Sequence, residues 1–154
     1  MNNKEIKIQL IKKCERALLE KIKEHEVAME DAQREANFHK GAMESRYDTF
    51  KEEAQERKDA HAKQIAQITK LLSSLISITQ KKASEKVEFG SVVETDSDVN
   101  YFMFSYIFNT PIVIDNKKFL PINLLTPLGQ QFLNKKIGDV VNFKGKTMKI
   151  IDVY

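Results

Sequence analysis

Residues 36–50 read Ala36-Asn37-Phe38-His39-Lys40-Gly41-Ala42-Met43-Glu44-Ser45-Arg46-Tyr47-Asp48-Thr49-Phe50, and the fold follows from the chain on either side of them. Gly41 is the single glycine of residues 1–82, which contain no proline. Glu, Lys, Gln and Ala dominate that stretch and favour helix. Before Gly41 the least polar stripe is Ile11, Cys14, Leu18, Ile22, His25, Met29, Ala32 and Ala36. After it the stripe is Phe50, Ala54, Arg57, His61, Ile65, Ile68, Leu72 and Leu75. Both advance by three and four residues, the spacing of a coiled-coil seam. Folding the chain back near residue 43 pairs Ala36 with Phe50, Ala32 with Ala54, Met29 with Arg57 and His25 with His61. It continues with Ile22 and Ile65, Leu18 and Ile68, Cys14 and Leu72, and Ile11 and Leu75. The pattern predicts an antiparallel coiled-coil hairpin. Gly41 is expected to end the first helix at positive φ. Ser45 is expected to cap the second, with Asp48 three residues on. Each arm of about 35 residues would be roughly 50 Å long.

Composition changes near Ala83-Ser84. Residues 83–154 hold the other four glycines and all three prolines. Val, Ile, Phe, Tyr and Asn with turn residues between them favour strands. Strands are predicted over 87–94, 99–108, 111–114, 119–122, 139–143 and 147–153. Asp96-Ser97-Asp98, Asp115-Asn116 and Lys144-Gly145 mark turns. Thr126 before Pro127 reads as an N-cap followed by proline at the first helical position, opening a helix over 127–134. The fold class is α+β: a hairpin over 1–82, then a small, strongly bent antiparallel sheet with one helix over 83–154.

The chain has 25 Lys+Arg against 22 Asp+Glu, a net charge of +3, which gives no charge-based case for coating nucleic acid. No apolar run approaches the roughly 20 residues of a membrane span. The polar start lacks a secretory signal. A single cysteine, Cys14, excludes an internal disulfide framework and a zinc ribbon, and its place in the seam suggests packing. A reducing cytoplasm is the expected location. His25 and His61 read as a polar layer of the seam, because two histidines alone make a weak metal site. Asp96-Ser97-Asp98-Val99-Asn100 imitates the start of a calcium loop, but Tyr101 stands where glycine is needed and Ile107 where glutamate is needed. No P-loop, GxGxxG, HExxH or GxSxG occurs, so the chain carries no visible engine of an independent enzyme.

In the order of its elements the chain resembles the Gre factors (GreA/GreB), bacterial transcription elongation factors. The clearest trace is the run Thr126-Pro127-Leu128-Gly129-Gln130-Gln131-Phe132-Leu133-Asn134-Lys135-Lys136-Ile137-Gly138-Asp139-Val140-Val141. The family has a similar Ser-Pro, small helix and Gly-Asp-x-Val there. Val87-Glu88-Phe89-Gly90-Ser91-Val92-Val93 also resembles its opening strand. The resemblance implies an FKBP-like C-terminal domain that docks on bacterial RNA polymerase near Thr126 and Pro127. It implies a monomer whose hairpin tip enters the secondary channel, close to the nascent RNA.

In cleaving members an Asp and a Glu three residues later share a catalytic Mg²⁺ with the polymerase. Carboxylates suit this because Mg²⁺ takes hard oxygen ligands. The family reads roughly Gly-Asp-Leu-Lys-Glu-Asn where this chain has Gly41-Ala42-Met43-Glu44-Ser45-Arg46, so Ala42 and Ser45 stand at the acidic places. The expected tip residues are Glu44, Ser45, Arg46, Tyr47 and Asp48. Glu44 and Asp48 are the candidate ligands of a polymerase-held Mg²⁺, and no cofactor of its own is expected. The reading is an accessory factor, not an enzyme, that modulates backtracking, pausing or transcript cleavage, with a non-cleaving paralogue as the nearest comparison. An alternative of another class is a coiled-coil adaptor whose β domain binds a different protein. A prolyl isomerase is a third reading, because function does not follow from fold.

Overall fold

The structure is a computed structural model that describes residues 1–41 and 44–154, with the backbone alone at Glu44 and Ser45. Helix α1 spans Asn3–Phe38, a 3₁₀ turn His39–Gly41 follows, and α2 spans Glu44–Gln80. No helix among the described residues is long and apolar enough to cross a membrane. The described residues form two compact units, Arg16–Leu72 and Met1–Glu15 with Ser73–Tyr154.

In the unit Arg16–Leu72 the two helices run antiparallel. Leu18, Ala32, Ala36, Ala54 and Ile68 are buried there. His25 faces His61 as the spacing predicts. Arg57 departs from expectation: it is exposed and donates to Glu35 Oε2 at 2.8 Å. A guanidinium cannot give up water inside an apolar seam without a buried partner, so it reaches across the surface to the other arm. Gly41 also departs from expectation, for it is not at positive φ. The helix end tightens into the 3₁₀ turn, which keeps helical φ and satisfies the last carbonyls without a left-handed residue. The expected Ser45 cap falls outside the described side chains.

In the other unit six strands form one sheet: β1 Val92–Thr95, β2 Val99–Met103, β3 Ile112–Ile114, β4 Lys117–Ile122, β5 Val140–Phe143 and β6 Lys146–Val153. Their order is β3-β4-β2-β1-β6-β5. The pairs are antiparallel except β2 with β4, which is parallel. The turns follow their residues. Asp115 and Asn116 at φ 51° and 62° join β3 to β4, and Lys144 and Gly145 at φ 47° and 77° join β5 to β6. The first strand is shorter than its composition suggests. The backbone of Val87 instead bonds Asn134 and Lys135, and Gly90 turns the chain at φ 90°. Likewise β2 stops at Met103, because Phe104 bonds Ile122 at the end of β4 and no partner strand continues beyond.

Alternation along the strands makes two buried faces. One carries Val93, Met103, Ile122, Met148, Ile150 and Val153, which pack with Phe132 of helix α3 (Pro127–Phe132). A register irregularity at Glu94 and Thr95 lets both Ile150 and Val153 reach this face. The other face carries Val92, Phe102, Ile112, Ile114 and Phe119, all buried. The bases of the two arms adjoin it. Asn3 Nδ2 donates to Asp152 Oδ2 at 2.8 Å, and the Met1 amino group lies 3.3 Å from the Asp115 carboxylate. A side chain at Gly90 would press on Ile78 at 3.0 Å. Ile6, Leu10, Ile11, Cys14, Leu75 and Ile78 are buried in the same unit.

Candidate functional site

Two of the expected site regions can be built from their residues. The first is the α3 corner. Thr126 is extended, at φ −72° and ψ 158°, and its hydroxyl accepts from the Gly129 N–H at 3.2 Å. The same hydroxyl donates to the Asn123 carbonyl at 2.6 Å. Pro127 occupies the first turn, where its missing N–H costs nothing. Gly129 is required by close approach: a Cβ there would lie 2.3 Å from the Asn123 carbonyl oxygen and 2.6 Å from Leu124 Cα. Helix α3 ends at Phe132, two residues short of the expected end. Leu133 caps it, and Asn134, at φ 64°, donates to the Val87 carbonyl at 2.9 Å. Asp139 accepts from the Lys136 N–H at 2.8 Å, and Gly138 donates to Ile150 at 2.8 Å. The run from Thr126 to Asp139 is thus tied down by local bonds and by backbone bonds to Val87 and Ile150. Thr126 and Pro127 are exposed, and next to them stands Leu125, 83% exposed. Nothing local in the sequence distinguished Leu125 from a core leucine.

The second region is the turn of the hairpin. Arg46 and Asp48 are exposed, and Asp48 makes no hydrogen bond or ion pair among the described residues. Tyr47 is half-buried, with the Lys51 ammonium 5.4 Å from its ring centre. The side chains of Glu44 and Ser45, and Ala42 altogether, fall outside the description. Phe38 and His39 were missed by the sequence reading, and Phe50, expected opposite Ala36 in the seam, meets His39. His39 stacks on Phe50 at 4.0 Å between ring centres, and Phe38 meets His39 edge-on at 5.4 Å. Phe38 is 85% exposed. The signal was the dipeptide Phe38-His39 just before Gly41, a bulky pair off the seam. The turn therefore presents a cation, a carboxylate and exposed aromatic surface together. Among the described residues there is no group of three or more His, Cys, Asp or Glu that could hold a metal.

The remaining polar layer is the histidine pair. His25 Nδ1 and His61 Nδ1 are 2.8 Å apart, with ring centres 5.1 Å apart. Cys14 is buried, and burial pushes its thiol up to about 12, so it is no nucleophile at neutral pH.

No protein-family model matches the chain, and no curated protein does. Among solved structures it is similar to GreA factor homolog 1 (Gfh1) of Thermus thermophilus. That match has 18% identity, covers 91% of this chain and 94% of that one, and has a TM-score of 0.34. A second structure, of the transcription factor Gfh1, matches at 15% identity over 91% of this chain and 92% of that one, with a TM-score of 0.33.

Proposed function

We propose that the chain is a Gre-like transcription elongation factor that binds RNA polymerase and modulates it from the secondary channel. The observation that carries this reading is the architecture itself. A hairpin of two helices, Asn3–Phe38 and Glu44–Gln80, is followed by a six-stranded sheet with one short helix between β4 and β5. The resembling run Thr126–Val141 builds that helix and the strand after it. In this reading the α3 corner, with Thr126, Pro127 and the exposed Leu125, is the docking surface. The hairpin turn is the working end.

The part played by the tip follows from its chemistry. The exposed carboxylate of Asp48, with Glu44 one turn earlier in the sequence, suits a share in a Mg²⁺ held by the polymerase. Such an ion would polarise the scissile phosphate and activate water. The chain's own residues position and repel. Arg46 offers donors to phosphate oxygens, and Asp48 offers negative charge. The chain has no reaction of its own in this reading, and it works where the polymerase works, in the cytoplasm.

The test is retention of the full chain on immobilised polymerase core, with competition by an authentic cleavage factor. Retention that competes supports the proposal. Retention lost on Leu125→Asp and Pro127→Asp would assign docking to the α3 corner. Failure of the wild type to bind core would favour the adaptor reading instead.

A further inference from the structure

A groove of about 720 Å³ lies within the unit formed by Met1–Glu15 and Ser73–Tyr154. Ile8, Ile11, Ile78 and the ring of Tyr154 give it apolar walls, and Ile8 is 42% exposed there. Around them stand Lys4, Lys7, Lys12 and Lys81, against the single carboxylate of Glu15. The cations are poorly compensated. Lys81 pairs with Glu88 at 3.3 Å, whereas Lys4, Lys7 and Lys12 have no ion pair among the described residues. Lys7 is half-buried, and its loss of water holds its ammonium below the usual lysine range, with Glu88 offsetting only part of the effect.

The spacing decides what kind of ligand fits. Lys4, Lys7, Ile8, Ile11, Lys12 and Glu15 share one face of α1 over three turns, roughly 17 Å. The positive charges are spread along that length and do not converge on one point. A small molecule with one anionic head would meet one lysine and leave the others unanswered. A helix with an apolar stripe flanked by acidic residues would meet all of them, turn for turn.

We propose that this groove is a docking site for an acidic amphipathic helix of a partner protein. Its apolar stripe seats on the exposed Ile8, above the buried Ile11, and its carboxylates face Lys4, Lys7 and Lys12. The site is separate from the α3 corner and does not depend on the polymerase reading.

The test uses the full chain and three synthetic helical peptides of about four turns, followed by fluorescence anisotropy and amide chemical-shift mapping. One peptide has a Leu stripe flanked by Glu, the second has Lys for Glu, and the third has Ser for Leu. The acidic Leu peptide should bind, should shift α1 amides near Ile8, and should weaken with salt. Lys4→Glu with Lys12→Glu, both at exposed positions, should reduce its affinity at least tenfold without changing the circular dichroism spectrum. Lys7→Glu should do the same. The proposal is overturned if the acidic peptide does not bind, or if the basic or Ser peptide binds as well. It is also overturned if the charge reversals leave affinity unchanged, or if the chain buries this face by self-association that excludes the peptide. Displacement of the peptide by dodecanoate at equal concentration would mark a small-anion pocket and would also overturn it.

Discussion

His25 Nδ1 and His61 Nδ1 face each other across the two arms at 2.8 Å. A bond of that length needs one proton between the two nitrogens, so one Nδ1 donates and the other accepts. The two histidines are therefore unlike in hydrogen-bonding role although alike in position. Replacing either by Ala should cost about 1 kcal/mol. Replacing both should cost less than the sum, by about 0.5–1 kcal/mol. Urea denaturation of the four proteins of the cycle measures this, and strict additivity would mean the bond contributes nothing. Nitrogen spectra of the two rings should show Nδ1 protonated in one ring and unprotonated in the other.

Gly129 and Gly41 should respond oppositely to the same change. A Cβ at Gly129 strikes backbone atoms of Asn123 and Leu124, which cannot swing aside. Gly129→Ala should lower stability by about 2–4 kcal/mol and loosen the α3 corner. Gly41 has nothing among the described residues within 4 Å of where a Cβ would stand, and no positive φ. Gly41→Ala should be neutral or stabilising by up to about 1 kcal/mol. Thermal melts of the two variants decide it, and equal effects would contradict the packing described.

Cys14 supplies a pH dependence of definite sign. Its thiol is raised by burial from 9.0 to about 12. The folded state holds the proton more tightly than the unfolded state, so the contribution is complete below about pH 9 and is lost as pH rises toward about 12. Between those limits the slope should approach 1.4 kcal/mol per pH unit, roughly, in the direction of lower stability. Comparing the wild type with Cys14→Ala isolates this group from lysines and tyrosines. Disulfide reagents should label Cys14 at the rate of unfolding; rapid labelling of native protein would show that the thiol is not buried.

Glu94 is buried and pairs with Lys117, on the sheet face that adjoins the arm bases. Lys117→Met should leave a carboxylate out of water without its counter-charge, at a cost of about 3 kcal/mol. Adding Glu94→Gln should recover more than half of that loss. A single-site effect under about 0.5 kcal/mol would show that water reaches Glu94.

Under the proposed Gre-like function, Ala42 and Ser45 stand in the sequence where cleaving Gre factors carry their acids. Transcript hydrolysis in a backtracked complex should rise little when this protein is added, while pausing changes and an authentic cleavage factor is displaced. Glu44→Ala and Asp48→Ala should alter the pausing effect. Strong cleavage by the wild type, lost in either variant, would show that Glu44 and Asp48 act as the metal pair.

The sequence was most readable where structure is local. Seam spacing located the hairpin and brought His25 opposite His61, because helical period needs only neighbours three and four apart. Asp115-Asn116 and Lys144-Gly145 announced turns that residues with small or flexible side chains can take at positive φ. What depended on distant partners was hidden. The parallel pairing of β2 with β4 leaves no mark in either strand. Residues 87–91 have strand composition, yet Val87 spends its backbone groups on Asn134 and Lys135. Arg57 has the seam's spacing but not its polarity. At the candidate site, Thr126 and Pro127 carry cap chemistry that any reader can find. The exposure of Leu125, and the groove at Ile8 and Lys7, arise only when remote segments meet.

The unit that holds the sheet is discontinuous: its first piece ends at Glu15 and its second begins at Ser73. During synthesis these pieces emerge from the ribosome far apart in time, whereas Arg16–Leu72 is one uninterrupted segment built on local contacts. Local contacts form quickly, and distant ones wait on loop closure. The hairpin segment can therefore mature first and act as the tether that brings Ile6 and Leu10 back to meet the late-arriving strands. Until β1 to β4 are made, the apolar side of the first fifteen residues has no sheet to adjoin, and that interval is when a nascent chain would most need a chaperone.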